Sequence, residues 1–134
     1  FTYNNHQMKA FNIIALFIVL LASSCSKESS IDINGTYQRT IQIEGQYFEV
    51  KLTFTTDGKL EWNPVSEIPN HSASVVNYVL LSGKQFRITG DDDCGSEAVY
   101  DFVLNNNVLT LSSTLDSCDA RHYALAGEWV RLTE

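Results

Sequence analysis

Basic residues are scarce in this chain of 134: nine Lys and Arg stand against sixteen Asp and Glu, a formal net charge of −7. Nucleic-acid binding is dominated by neutralising phosphates, so this acidity excludes a nucleic-acid partner. It equally excludes adhesion to anionic lipid by charge. No apolar run reaches the roughly 20 residues that cross a bilayer; Ala10 to Ala22 is shorter and is interrupted by Asn12. Catalytic signatures are missing too. There is no Gly-x-Ser-x-Gly, no His-Glu-x-x-His and no phosphate-cradling glycine loop. Beyond residue 25 only His71 and His122 remain, neither in a nucleophile arrangement, so we expect no enzymatic activity and no cofactor. Neither Cys94 nor Cys118 has a Cys-x-x-Cys partner, which argues against a metal or redox pair. Asp91-Asp92-Asp93, with Glu97 behind, lacks the spaced order of a calcium loop. It reads as a solvated turn, and no metal is expected.

What is present begins at Met8. Lys9 gives a positive n-region, Ala10 to Ala22 a short apolar h-region, and Ala22-Ser23-Ser24 the small residues that signal peptidases accept. A cysteine follows at once. The segment 8–24 resembles a lipoprotein signal, and its Ser-Ser-Cys ending is similar to the looser lipobox of Bacteroidetes-type lipoproteins. The resemblance implies that Cys25 is lipidated and that the protein sits in a bacterial outer membrane, at its periplasmic face or the cell surface. Phe1 to Gln7 read as an upstream extension and 25–32 as a tether. Removing Lys9, the only formal charge before Cys25, takes the net charge from −7 to −8, which favours solubility. With Cys25 assigned to lipid, Cys94 and Cys118 are left as an even pair in an oxidising compartment. A bridge is the expectation, two free thiols the alternative.

Residues 33–134 fit one domain. The hydrophobic period there is two. Phe48, Val50, Leu52 and Phe54 alternate with Tyr47, Glu49, Lys51 and Thr53, as in a strand with one buried face. Asp57-Gly58 marks a two-residue hairpin turn with positive φ at both positions, and Asn105-Asn106-Asn107 another turn, since asparagine tolerates the left-handed region. Eight strands are predicted, at 35–43, 47–56, 59–63, 74–81, 84–90, 97–104, 108–113 and 127–133. Short connections favour pairing in order, and an open meander would leave two exposed edges. The expected fold is all-β, an eight-stranded up-and-down barrel; an immunoglobulin-like sandwich is the alternative. Between Asp116 and Ala126 the period breaks. Ser117 is a candidate cap for a short helix before the last strand, with Ala120, Tyr123 and Ala124 on one face and Gly127 ending it.

Two places carry a family resemblance. Ile33-Asn34-Gly35-Thr36-Tyr37 resembles the Gly-x-Trp start of lipocalins, with tyrosine for tryptophan. Asp116-x-Cys118-x-x-Arg121 followed by Leu125-x-Gly127-x-Trp129-x-Arg131 is similar to the end of lipocalin-like domains in bacterial lipoproteins. The resemblance implies a basic side chain from near the last strand stacked on an aromatic of the first. Tyr37 matches the aromatic, and Arg131 or Arg121 the base, as residues that close the barrel. The eight-strand count and the supply of aromatics point to a binding module for a small, partly apolar molecule. Candidate interior residues, in addition to Tyr37, are Phe48, Phe54, Trp62, Tyr78, Phe86, Tyr100 and Phe102. The same aromatics can instead simply fill the barrel. The alternative is therefore a packed barrel acting through its surface, as a protein-interaction or inhibitor-like lipoprotein. Either way a monomer is expected.

Overall fold

The alternation over residues 35–54 produces the first hairpin. Strands β1 (Gly35–Ile43) and β2 (Gln46–Phe54) pair antiparallel from Gly35↔Phe54 to Ile43↔Gln46. In the computed structural model, which describes residues 31–133, Tyr37, Ile41, Val50, Leu52 and Phe54 are buried while Thr40, Gln42 and Glu49 face solvent. The signal segment 8–24, Cys25 and most of the tether lie outside the described residues. Between β1 and β2, Glu44 and Gly45 take φ of 50° and 82°, which lets a two-residue turn follow the strand twist.

The remaining elements are β3 (Lys59–Pro64), β4 (Ser74–Ser82), β5 (Gln85–Thr89), β6 (Ala98–Asn105), β7 (Val108–Leu115), helix α1 (Asp119–Leu125) and β8 (Gly127–Arg131). Each strand pairs antiparallel with the next. β8 returns to β1 through Tyr37↔Arg131 and Gln38↔Val130, so the sheet is a closed up-and-down barrel in chain order. Closure leaves no unpaired edge and sets aside the sandwich.

Two local expectations are corrected. At Asp57-Gly58 only the glycine has positive φ, 80°. Thr55 N–H donates to Lys59 O (2.9 Å), and Lys59 N–H donates to Thr55 Oγ1 (2.9 Å). The threonine hydroxyl thus ends the ladder early, and Thr56 to Gly58 form a longer loop with a left-handed last residue. The helix cap is likewise shifted. Cys118, not Ser117, is the N-cap, and it makes no side-chain cap bond. Its N–H donates to Asp116 Oδ1 at 2.9 Å. At the other end Ala126 is the C-cap, and Gly127 already begins β8.

Odd and even strands run in opposite senses, which sorts the connections to two ends. One end carries the Thr56–Gly58 loop, the β4–β5 and β6–β7 turns, and the incoming segment 31–34. It is closed by packing. Phe54 meets Tyr37, Tyr78 and Phe86 edge-on, with centroids 6.1, 5.2 and 5.4 Å apart, and Phe86 stacks on Tyr100 at 5.7 Å. Such contacts add about 0.5–1.5 kcal/mol each to the burial of the rings. Ile33 is buried with them, and the Tyr78 hydroxyl donates to Thr55 O and Asn34 Oδ1, both at 2.9 Å.

The seam lies at this end. Arg131 stands 5.2 Å above the Tyr37 ring, and its Nη2 donates to the Tyr37 hydroxyl (2.8 Å), Asn34 O (2.9 Å) and Asp32 O (3.1 Å). The Tyr37 hydroxyl in turn donates to Ile33 O at 2.9 Å. Burial raises the Tyr37 pKa, with the Arg131 charge working in the opposite direction. One guanidinium thus ties the first strand, the last strand and the incoming chain. Replacing Tyr37 by Phe or Arg131 by Met is expected to cost about 1–3 kcal/mol, since each leaves a buried polar partner unpaired. Urea unfolding of both singles and the double should show a coupling above about 0.5 kcal/mol. Additive losses would mean that the two side chains act independently.

Candidate functional site

The opposite end is organised differently. The β1–β2 turn, the β3–β4 loop, the β5–β6 loop and the segment from Asp116 through α1 all meet there. They surround a cavity of about 510 Å³, within the range of small-molecule sites. Its walls are apolar: Ile41 and Ile43 from β1, Leu60 and Trp62 from β3, Val76 from β4, and Ala124 and Leu125 from α1. Asn70, His71, Ser72, Asp93 and Asp119 form an exposed polar rim. A second hollow, of about 590 Å³, is bounded by Pro64 at the end of β3 and by the β3–β4 loop that follows it.

The helix is held over the mouth by three separate devices. The first is the Cys94–Cys118 disulfide, with Cα atoms 5.6 Å apart, which joins the β5–β6 loop to the residue before α1. The second is Arg121, only 6% exposed. Its Nε and Nη2 donate to Asp116 Oδ2 and Oδ1 at 2.9 and 2.7 Å, a bidentate fork; Nη1 donates to Asp91 Oδ2 (3.0 Å) and Ser96 O (2.8 Å). The Tyr100 hydroxyl also donates to Asp116 Oδ2, at 2.5 Å. Burial opposes ionisation of Asp116, but the bonds from Arg121, Tyr100 and the Cys118 N–H outweigh it and hold the carboxyl below its ordinary pKa. Burial, together with the adjoining Asp116, pushes the Tyr100 hydroxyl far upward.

The third device is Arg39. Its guanidinium lies 4.3 Å over the Trp129 ring and donates to Ala126 O (2.5 Å), Ala124 O (2.7 Å) and Tyr123 O (2.8 Å). These are carbonyls at the C-terminal end of the helix, where a cation is favoured. From the helix side, the Tyr123 hydroxyl donates to Gln42 O in β1. Burial lowers the Arg39 pKa, but the carbonyls and the ring face take the place of its water.

The expected site residues divide between the two ends. Of the candidate interior aromatics, Trp62 reaches the cavity. Phe54, Tyr78, Phe86, Tyr100 and Phe102 pack among themselves, and Phe48 is half-buried against the core. The arginines divide similarly: Arg131 sits at the Tyr37 ring, whereas Arg121 clasps Asp91 and Asp116 at the mouth. Asp91 therefore departs from the expected solvated turn, while Asp92 and Asp93 remain exposed. His71 stands on the rim and His122 on the outer face of α1, exposed beside Arg39. Among the described residues no group of His, Cys, Asp and Glu is placed to hold a metal ion.

Arg39 is the site residue that motif reading missed, and Asp116, though quoted in the closing motif, was given no role. A signal for Arg39 was present: it shares the inward phase of β1 with Tyr37, Ile41 and Ile43, and a charge in that phase requires a buried partner. Trp62 shows one further feature. It is 7% exposed, and its indole N–H is buried with no acceptor among the described residues.

No protein-family model matches the chain, and no curated protein matches it either.

Proposed function

We propose that this chain is a lipid-anchored outer-membrane lipoprotein, lipocalin-like in architecture, whose barrel binds a small, partly apolar molecule under α1. The cavity carries the reading. One end of the interior is filled by packed rings, while the other is left open beneath a helix that a disulfide and two arginines hold in place. A barrel acting only through its surface has no need of that space, since interiors are otherwise close-packed. The protein works as a monomeric, non-catalytic binder in this reading.

Anchoring at Cys25 is supported by the signal anatomy and by the direction of the chain. Ile33 is buried at the closed end, eight positions after Cys25. A tether reaches at most about 3.3–3.6 Å per residue, so the anchor belongs at that end and the mouth faces away from the membrane. Fractionation of Cys25→Ala tests the anchor: the variant is expected in the soluble fraction, and retention in membranes at wild-type level would overturn it.

The cavity is tested by titrating the detergent-solubilised protein with N-phenyl-1-naphthylamine, a neutral apolar dye whose emission rises on burial. Binding is expected, and Ala124→Trp should weaken it at least about tenfold, or about 1.4 kcal/mol. Ala124 lines the cavity from α1, so the indole takes the ligand's space. An Ala124→Trp protein that is stably folded and binds the dye like wild type would place the dye elsewhere.

A further inference from the structure

We infer that the mouth selects by charge, so that the cavity takes neutral or cationic amphiphiles and rejects anionic ones with the same apolar body. The inference rests on the cavity reading above and adds the chemistry of the head group. Inside, the walls offer aliphatic carbon and one indole. At the opening the fixed charges are unequal.

The cation closest to the opening is Arg121, and it is spent. Its guanidinium is shared between Asp116 and Asp91, at 2.7 and 3.0 Å, so the cluster carries one positive and two negative charges. Asp93 and Asp119 line the cavity as well; both are exposed, and neither has an ion-pair partner among the described residues. Arg39 is the only other guanidinium near the helix. It is turned onto the carbonyls of Tyr123, Ala124 and Ala126 and does not line the cavity. Counting it in full still leaves four carboxylates (Asp91, Asp93, Asp116, Asp119) against two guanidiniums. The surrounding acids, Glu44 in the β1–β2 turn, Glu67 in the β3–β4 loop and Asp92, share that sign, and His71 is the remaining ionisable group on the rim.

An amphiphile with its tail between β1, β3 and β4 has its head at this rim. A carboxylate head would meet Asp93 and Asp119 with no free cation among the described residues lining the cavity to receive it. An ammonium head would meet two carboxylates that lack partners, and the low-dielectric walls beside them concentrate the field. Hydrophobic burial is common to both, so the difference is electrostatic and salt-sensitive.

Three compounds with one tail separate the terms: decylammonium, decanol and decanoate, each competing with N-phenyl-1-naphthylamine on the full chain. The measurement is made near pH 8. At about 50 mM salt, decylammonium is expected to bind at least about fivefold tighter than decanoate, with decanol between. In Asp93→Asn/Asp119→Asn the ratio should fall below about twofold, and about 0.5 M salt should compress it in the wild type. The salt series and the single Asp93→Asn serve if the double variant does not fold. Equal or tighter binding of decanoate overturns the inference, and so does a preference that survives neutralisation of both carboxylates. Decanol then tells which reading has failed. If it binds while the preference is absent, the charge selection falls and the cavity stands; if none of the three binds, both fall.

Discussion

Arg121→Ala is expected to lower the unfolding free energy by about 3–5 kcal/mol, because it leaves Asp116 buried without its cation. The Asp116 side chain is 0% exposed and that of Arg121 5%, so water cannot replace the lost bonds. Such a loss is a large share of the roughly 5–15 kcal/mol that a domain of this kind possesses. Arg121→Lys should recover only part of it, since an ammonium keeps the charge but not the bidentate fork. Removing both charges, in Arg121→Met/Asp116→Asn, should cost less than Arg121→Ala alone: the amide still accepts from Tyr100, and only Asp91, whose side chain is partly exposed, is left without its cation. Urea unfolding followed by Trp62 and Trp129 emission measures all three. The pH dependence has a definite sign. The Asp116 pKa is depressed in the folded state, so its contribution is present above the unfolded value of about 3.9 and is lost as pH falls through the lower folded value. Wild type and Arg121→Ala should therefore differ fully near neutrality and converge in acid. A loss below about 1 kcal/mol at neutral pH would show that the cluster is not the clasp described here.

Reduction of Cys94–Cys118, or the double change to Ser, is expected to remove about 3 kcal/mol, the loop-entropy value for a closed loop of this size; the two cysteines are separated by 24 positions. More telling is its coupling to Arg121. The disulfide and the Arg121–Asp91 pair join the same two segments, the β5–β6 loop and the start of α1. With one removed, the other still fixes the loop, and part of the second loss appears only when both are gone. The combined variant should also lose dye binding before it loses β-structure, since only Arg39 and the Tyr123–Gln42 bond then hold the helix over the mouth. Dye binding that persists until global unfolding would mean that the helix does not define the cavity.

The barrel was legible because it follows from local rules. A period of two over Phe48–Phe54 puts one face inside, short connections order the strands, and an even, unbroken series of strands avoids edges by closing. The helix, too, was visible as a break in that period. Boundaries and caps were less so: Thr55 and Cys118 are set by hydrogen bonds to Lys59 and Asp116, partners that periodicity does not name.

The arginines show where reading the chain stops. The sequence by itself determined the strand order and, through its resemblance to lipocalin-like domains, that a ring from the first strand meets a base from near the last. It put Arg131 ahead of Arg121 for that role and passed over Arg39. Only the closed sheet decides among them, because its register sets Arg131 opposite Tyr37 and the loop packing brings Asp91 to Arg121 across 30 positions. The division of the interior was decided the same way. Alternation says which residues face inward, but how far along the barrel each one sits depends on strand stagger and on where α1 lies. Those are properties of the assembled sheet, and they alone separate the ring-filled floor from the open cavity at the mouth.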